Sequence, residues 1–229
     1  MRLGALLLLV FLSGCSSLRT PLAVGLPRDT SATYTVTFTG TWSAASHPAE
    51  FPTSAHFSGL IGATHDDRVV FWRAGQLASP GIQAMAELGE KMPLMDEIDA
   101  ALTAGTAQVL LSGDGIRPSP GRTSLEFRIA ESHPLVTLVS MIAPSPDWFV
   151  GVADLPLRVE GRWVDSLTVA LRGWDAGTDD GTFYTAANAP AMPHTPISAL
   201  AGGPFEVNGE VPPLGTFTFV RHREDSPRF

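Results

Sequence analysis

The sequence predicts an all-β chain: an antiparallel β-sandwich with one or two short helices inserted. Three observations predict it. Residues Thr33 to Trp42 alternate, with Tyr34, Val36, Phe38 and Trp42 on one side and Thr35, Thr37, Thr39 and Thr41 on the other. Period two with a single apolar face marks a half-buried antiparallel strand. The 22 glycines and 19 prolines are spread along the chain, as many turns between short strands require. Only one stretch, near residues 80–104, carries helical spacing, which favours a sandwich over a mixed fold.

The amino terminus sets the compartment. Arg2 precedes a short apolar run from Leu6 to Leu12, and Leu12-Ser13-Gly14-Cys15 follows at once. A bilayer span needs roughly 20 apolar residues, so residues 1–14 read as a secretory signal. Leu-Ser-Gly-Cys resembles the lipobox of bacterial lipoproteins. That resemblance implies acylation of Cys15 after cleavage and a membrane partner through the lipid anchor. Ser16 resembles the outer-membrane sorting pattern, which implies a lipid-anchored protein of the bacterial outer membrane. Cys15 is the only cysteine of 229 residues, so the exported domain has to fold without disulfides. Residues 15–32 read as a flexible tether rich in Ser, Thr, Pro and Gly, and 33–225 as one domain. The formal net charge of −8 and the lack of a basic stripe exclude a nucleic-acid partner.

Along the domain, Phe57–Ala63 and Val69–Trp72 are the next candidate strands, joined by a polar loop at His65-Asp66-Asp67. Residues 80–90 and 93–104 are spaced as short helices. Met85, Leu88 and Met92 fall on one face of the first, and Leu94, Ile98 and Leu102 on one face of the second. Pro80 and Pro93 sit where a first helical turn tolerates proline. Glu87, Glu90, Asp96, Glu97 and Asp99 then make a solvated face. Strands resume at Val109–Leu111, Ser124–Ile129, Leu135–Ile142, Phe149–Val152, Val164–Leu171 and Thr216–Val220.

Two acidic segments follow strongly apolar strands: Pro144-Ser145-Pro146-Asp147-Trp148, and Trp174-Asp175-Ala176-Gly177-Thr178-Asp179-Asp180-Gly181. If the strands between them alternate in direction, Asp147 comes near Asp175 and Asp179. Three carboxylates on adjacent loops repel one another unless a cation compensates, and oxygen ligands suit calcium. Asp-Gly pairs are also turn formers, so spacing alone leaves both readings open. Trp148 and Trp174 read as core anchors that brace these loops. The histidines at 47, 56, 65, 133, 194 and 222 show no zinc spacing. No Gly-x-Ser-x-Gly elbow and no phosphate loop occur, so no catalytic residue is assigned and no enzyme is predicted.

Several motifs in order resemble the spondin amino-terminal domain of F-spondin and mindin. They are Tyr34-Thr35-Val36-Thr37-Phe38-Thr39-Gly40-Thr41-Trp42-Ser43 with His47-Pro48, and Ala55-His56-Phe57-Ser58-Gly59-Leu60-Ile61-Gly62. Ala78-Ser79-Pro80-Gly81-Ile82, Pro144 to Gly151 and Trp174 to Asp179 continue the match across roughly residues 33–222. The resemblance implies a sandwich similar to C2 domains, with Ca²⁺ held at one end by Asp147, Asp175 and Asp179. It also implies a binding or adhesion module with an unidentified protein or glycan ligand. Residues 153–162 contain no cysteine, where the animal domain has a pair. A metal-dependent envelope hydrolase using metal-activated water and a purely structural envelope protein are the alternatives.

Overall fold

The computed structural model describes residues 30–222. In chain order the elements are β1 (Ser31–Gly40), β2 (His56–Phe57), β3 (Ile61–His65), α1 (Pro80–Leu88), α2 (Leu94–Thr103), β4 (Ala107–Ser112) and β5 (Gly121–Ala130). There follow β6 (Leu135–Ala143), β7 (Trp148–Pro156), β8 (Arg158–Val159), β9 (Arg162–Trp163), β10 (Ser166–Leu171), β11 (Gly173–Asp175), β12 (Ser198–Ala199) and β13 (Gly215–Arg221). The all-β sandwich with two short helices is the fold the sequence predicts.

A four-stranded sheet has the order β10-β13-β1-β5. A seven-stranded sheet runs β12-β11-β7-β6-β3-β4, with β2 paired to β6 beyond β3. All pairings are antiparallel. The main core lies between the sheets. Tyr34, Val36 and Phe38 of β1 and Phe217 and Phe219 of β13 meet Val136, Leu138 and Ile142 of β6 and Val150 of β7. β1 begins at Ser31, two residues before the predicted start, and its outward threonines stay only half-buried.

A second core covers the outer face of the larger sheet. Ile82, Met85 and Ala86 of α1 and Leu94 and Ile98 of α2 pack on Ile61, Val139, Met141 and Phe149. That double cover explains the sequence of β6, whose nearly unbroken apolar run is buried on both faces rather than alternating. Ser79 caps α1 by accepting the Ile82 amide at 3.2 Å, and Gly89 ends it in the left-handed conformation at φ 68°.

Four local expectations fail. Phe57–Ala63 is not one strand: it divides into β2 and β3, which pair at different places along β6. Val69–Trp72 is not a strand either. Its aromatics are buried as packing residues, Phe71 against His65 and Trp72 against Phe149 and Trp174. On α1's predicted apolar face only Met85 is buried; Leu88 and Met92 are exposed. Glu97 is not simply solvated, because it accepts hydrogen bonds from Ser79 Oγ at 2.8 Å and Gly81 N at 2.7 Å and ties the two helices together.

Candidate metal centre

The candidate site forms where β6 ends, β7 begins and β11 lies beside β7. Residues 144–147 turn the chain, with Ser145 Oγ accepting the Trp148 amide at 3.1 Å. Trp148 then stands directly opposite Asp175 in the β7–β11 register. Asp175 therefore sits on a short strand rather than in the acidic loop the sequence suggested. It reaches β7 because the chain crosses from one sheet to the other between β10 and β11.

Asp147 is fully buried. Its Oδ2 accepts from Thr178 N at 2.7 Å, Thr178 Oγ1 at 3.3 Å and Asp179 N at 3.2 Å. Its backbone carbonyl accepts from Ala176 N at 3.1 Å. Its Oδ1 is buried with no hydrogen-bond partner. Burial, and then the neighbouring Asp175 carboxylate, push the Asp147 carboxyl up to about 6. Asp175 is pushed up as well, first by burial. Its Oδ1 accepts the Gly177 amide at 2.8 Å, and its Oδ2 accepts the Trp148 indole N–H at 3.2 Å.

Gly177 makes this turn possible. Its φ is 73°, and a Cβ there would stand 2.1 Å from the Thr195 carbonyl oxygen. Asp179 is buried too, but both its oxygens are taken by amides of its own loop: Gly181 N at 2.7 Å and Ala189 N at 2.8 Å. The structure thus sets Asp147 against Asp175 and turns Asp179 toward the 181–189 loop. Among the described residues no three acidic, histidine or cysteine side chains are grouped to hold a metal ion. None of these aspartates has an ion-pair partner among the described residues.

Trp148 and Trp174 are core anchors, as expected. Trp148 packs on Tyr184 and Phe205, and Trp174 on Trp72. Thr178, which gives the Asp147 carboxylate two of its three hydrogen bonds, was not singled out by the sequence. The spacing of a threonine before Asp179 carries no signal of its own. Cys15 lies outside the described residues.

A Spondin_N family model matches residues 32–206. Spondin-2 of Rattus norvegicus and of Homo sapiens are each 35% identical over 210 residues, covering 86% of this chain and 63% of theirs. Spondin-1 of Rattus norvegicus is 36% identical over 180 residues, covering 74% of this chain and 22% of its own length. The chain therefore spans less than two thirds of the length of these relatives.

Proposed function

Because the chain belongs to the spondin N-terminal family, we propose that it is a calcium-braced binding and adhesion module, held at a bacterial outer membrane by lipid on Cys15 and working through a protein or glycan ligand. The observation that carries the calcium reading is the buried, unpartnered Oδ1 of Asp147 beside Asp175. A desolvated carboxylate pair with no cation is costly, and a hard divalent ion with oxygen ligands relieves that cost. The donor chemistry fits. Asp147 Oδ1 is free to ligate, and the oxygens of Asp175 and Asp179, each holding one N–H donor, keep a further lone pair. Calcium, when bound, supplies positive charge between the carboxylates. This chain's own residues already hold the surrounding backbone through Asp147 to Thr178 and Asp179, and through Asp175 to Gly177.

Placement supports display. Thr30 O accepts the Glu131 amide and Thr33 O accepts the His222 amide, so both ends of the described chain lie at the start of β1 and β6. The aspartates lie at the far end of β6. With nine residues in that strand, roughly 30 Å separates the two ends. A tether from Cys15 then holds the aspartate end away from the membrane that anchors it.

Thermal melting of the purified chain in Ca²⁺ and in chelator tests the metal. A ligand at about a hundred times its dissociation constant adds about 2.7 kcal/mol, or roughly 5–10 °C for a chain of this size. Asp175→Ala is expected to abolish the rise. No rise in millimolar Ca²⁺ sinks the calcium reading, since extracellular sites bind at about 10⁻⁴–10⁻³ M. Incorporation of labelled fatty acid, lost in Cys15→Ser, tests the anchor.

A further inference from the structure

The four-stranded sheet has two edges of different character. β5 carries Arg122, Glu126 and Arg128 in exposed alternate positions. Charges of this kind protect an edge from pairing with another chain. β10 reads Ser166-Leu167-Thr168-Val169-Ala170-Leu171, with no charge, no proline and an unbroken pairing register to β13. Leu167 and Val169 point inward yet are only half-buried, because nothing pairs beyond them.

The hydrogen-bond phase of β10 is fixed by its flanks. Arg221 N donates to Asp165 O at 2.9 Å, and Leu214 N donates to Leu171 O at 2.8 Å. Odd-numbered residues therefore face β13, and Ser166, Thr168 and Ala170 turn their N–H and C=O groups outward. Among the described residues, no backbone group outside β13 pairs with these three.

We propose that β10 is a homophilic edge, pairing antiparallel with β10 of a second copy and joining the two four-stranded sheets into one. The occupant is a second copy because the edge is self-complementary. Side chains opposite one another in an antiparallel pair share a face, and a two-fold axis at Thr168 satisfies this. Thr168 then meets its own counterpart, Ser166 meets Ala170, and Leu167 meets Val169. All three outward residues form hydrogen-bonded pairs, no like charges oppose, and the half-buried Leu167 and Val169 cover one another. The outer face also continues. The register sets Thr168, Thr218, Thr37 and Ser124 in one row across the sheet, with hydroxyl contacts of 3.1 Å for Thr168–Thr218 and 3.2 Å for Thr37–Ser124. The second copy extends that row across the axis.

The axis reverses strand direction. β10 runs parallel to β1, since both are antiparallel to β13. The two copies therefore send their amino-terminal ends in opposite directions. Resting on the Cys15 tether proposed above, this geometry joins copies anchored in two facing membranes rather than neighbours in one.

Sedimentation equilibrium of the purified chain bearing Cys15→Ser, which removes the lipid site and the native thiol, tests the edge itself. A monomer–dimer equilibrium is expected. Thr168→Lys, an exposed change that sets two lysines across the axis, is expected to shift it to monomer while the melting curve stays that of a folded chain. In the same background Thr168→Cys is expected to form a covalent homodimer with a short thiol-specific bismaleimide, since opposed residues of a hydrogen-bonded pair lie about 5.5 Å apart. Ser124→Cys, on the charged edge strand, is expected not to. A monomer at every attainable concentration, or a dimer that ignores Thr168→Lys and leaves Thr168→Cys uncrosslinked, overturns the proposal. A separate arm mixes two populations of vesicles carrying the lipidated chain, which are expected to aggregate unless Thr168→Lys is present. Dimers in solution without vesicle bridging would refute the facing-membrane geometry and leave the edge pairing standing.

Discussion

Asp147 and Asp154 each bury one carboxylate oxygen with no hydrogen-bond partner, at opposite ends of the β6–β7 pair. Their surroundings differ. Asp154 Oδ2 accepts from the Arg73 guanidinium at 2.7 Å, and His65 Nε2 stands 3.7 Å from Oδ1. Nearby, Asp66 pairs with Arg68. Asp147 faces Asp175 and has only neutral donors. A buried orphan oxygen is thus not itself a sign of a ligand. Where a fixed cation stands beside it, the group belongs to the scaffold. Where the neighbours are acids, no fixed charge balances the group, and that is the gap the proposed Ca²⁺ would fill.

The largest effect that separates the two ends is expected from Asp147→Ala. It strips the acceptor from Thr178 N, Thr178 Oγ1 and Asp179 N, all inside the fold. Leaving such donors unpaired costs about 1–3 kcal/mol, roughly 2–4 °C for each kcal/mol in a chain of this length. At about pH 4, where the folded Asp147 carboxyl is protonated and its loss relieves no buried charge, the melting temperature in chelator should fall by that amount, and at neutral pH it should no longer respond to Ca²⁺. A variant that keeps a full calcium response would place the ion elsewhere.

Titration separates the ends by sign. Asp147 has a folded value raised to about 6, above the ordinary carboxylate near 3.9. The folded state then binds the proton more tightly. Stability present below about pH 4 is lost as pH rises toward 6, by an amount of order 2–3 kcal/mol. Asp175, also raised, acts in the same direction. His65 acts oppositely. Burial holds it below its usual 6.5, so its contribution is lost as pH falls through the folded value. Its Nδ1–H donates to Asp66 O at 2.8 Å, and its Nε2 accepts from Thr137 Oγ1 at 2.8 Å, the neutral pattern. In chelator, Asp147→Asn keeps an acceptor for the Thr178 amide and removes the charge. Chemical denaturation from about pH 4 to 7 should then show the fall shrink to the part that Asp175 still contributes, set against the rise from His65. Saturating Ca²⁺ on the unaltered chain should erase the same fall, because the ion binds the deprotonated carboxylates.

The sheets were legible because alternation and apolar runs are local signals. β1, β6 and β13 appear within two residues of their predicted bounds. Phe57 to Ala63 looked like one strand because periodicity does not report which neighbour each half pairs with. Phe71 and Trp72 looked like strand residues because buried aromatics in a loop leave the same apolar trace. At the site, the approach of Asp147 and Asp175 followed from strand direction, whereas the engagement of Asp179 with Gly181 and Ala189 depends on a loop closing on itself. The Asp154 cluster was invisible. Arg73 and Asp154 lie 81 residues apart, and neither stands in a pattern that marks a site.

That cluster supplies the smallest and most selective test. The Arg73 side chain is 54% exposed, so its pair with Asp154 contributes about 0–1 kcal/mol. Arg73→Ala should therefore move the melting temperature by at most a few degrees. Its effect on His65 should be plainer. Without the guanidinium, the Asp154 charge acts on the imidazole uncompensated and favours the protonated ring. The His65 midpoint, followed by NMR, should move upward while the calcium response of the aspartate end stays unchanged. An unmoved midpoint would mean that Arg73 does not neutralise Asp154. The two ends would then share the same uncompensated burial, and the contrast that supports Asp147 as a ligand of the proposed Ca²⁺ would lose its physical basis.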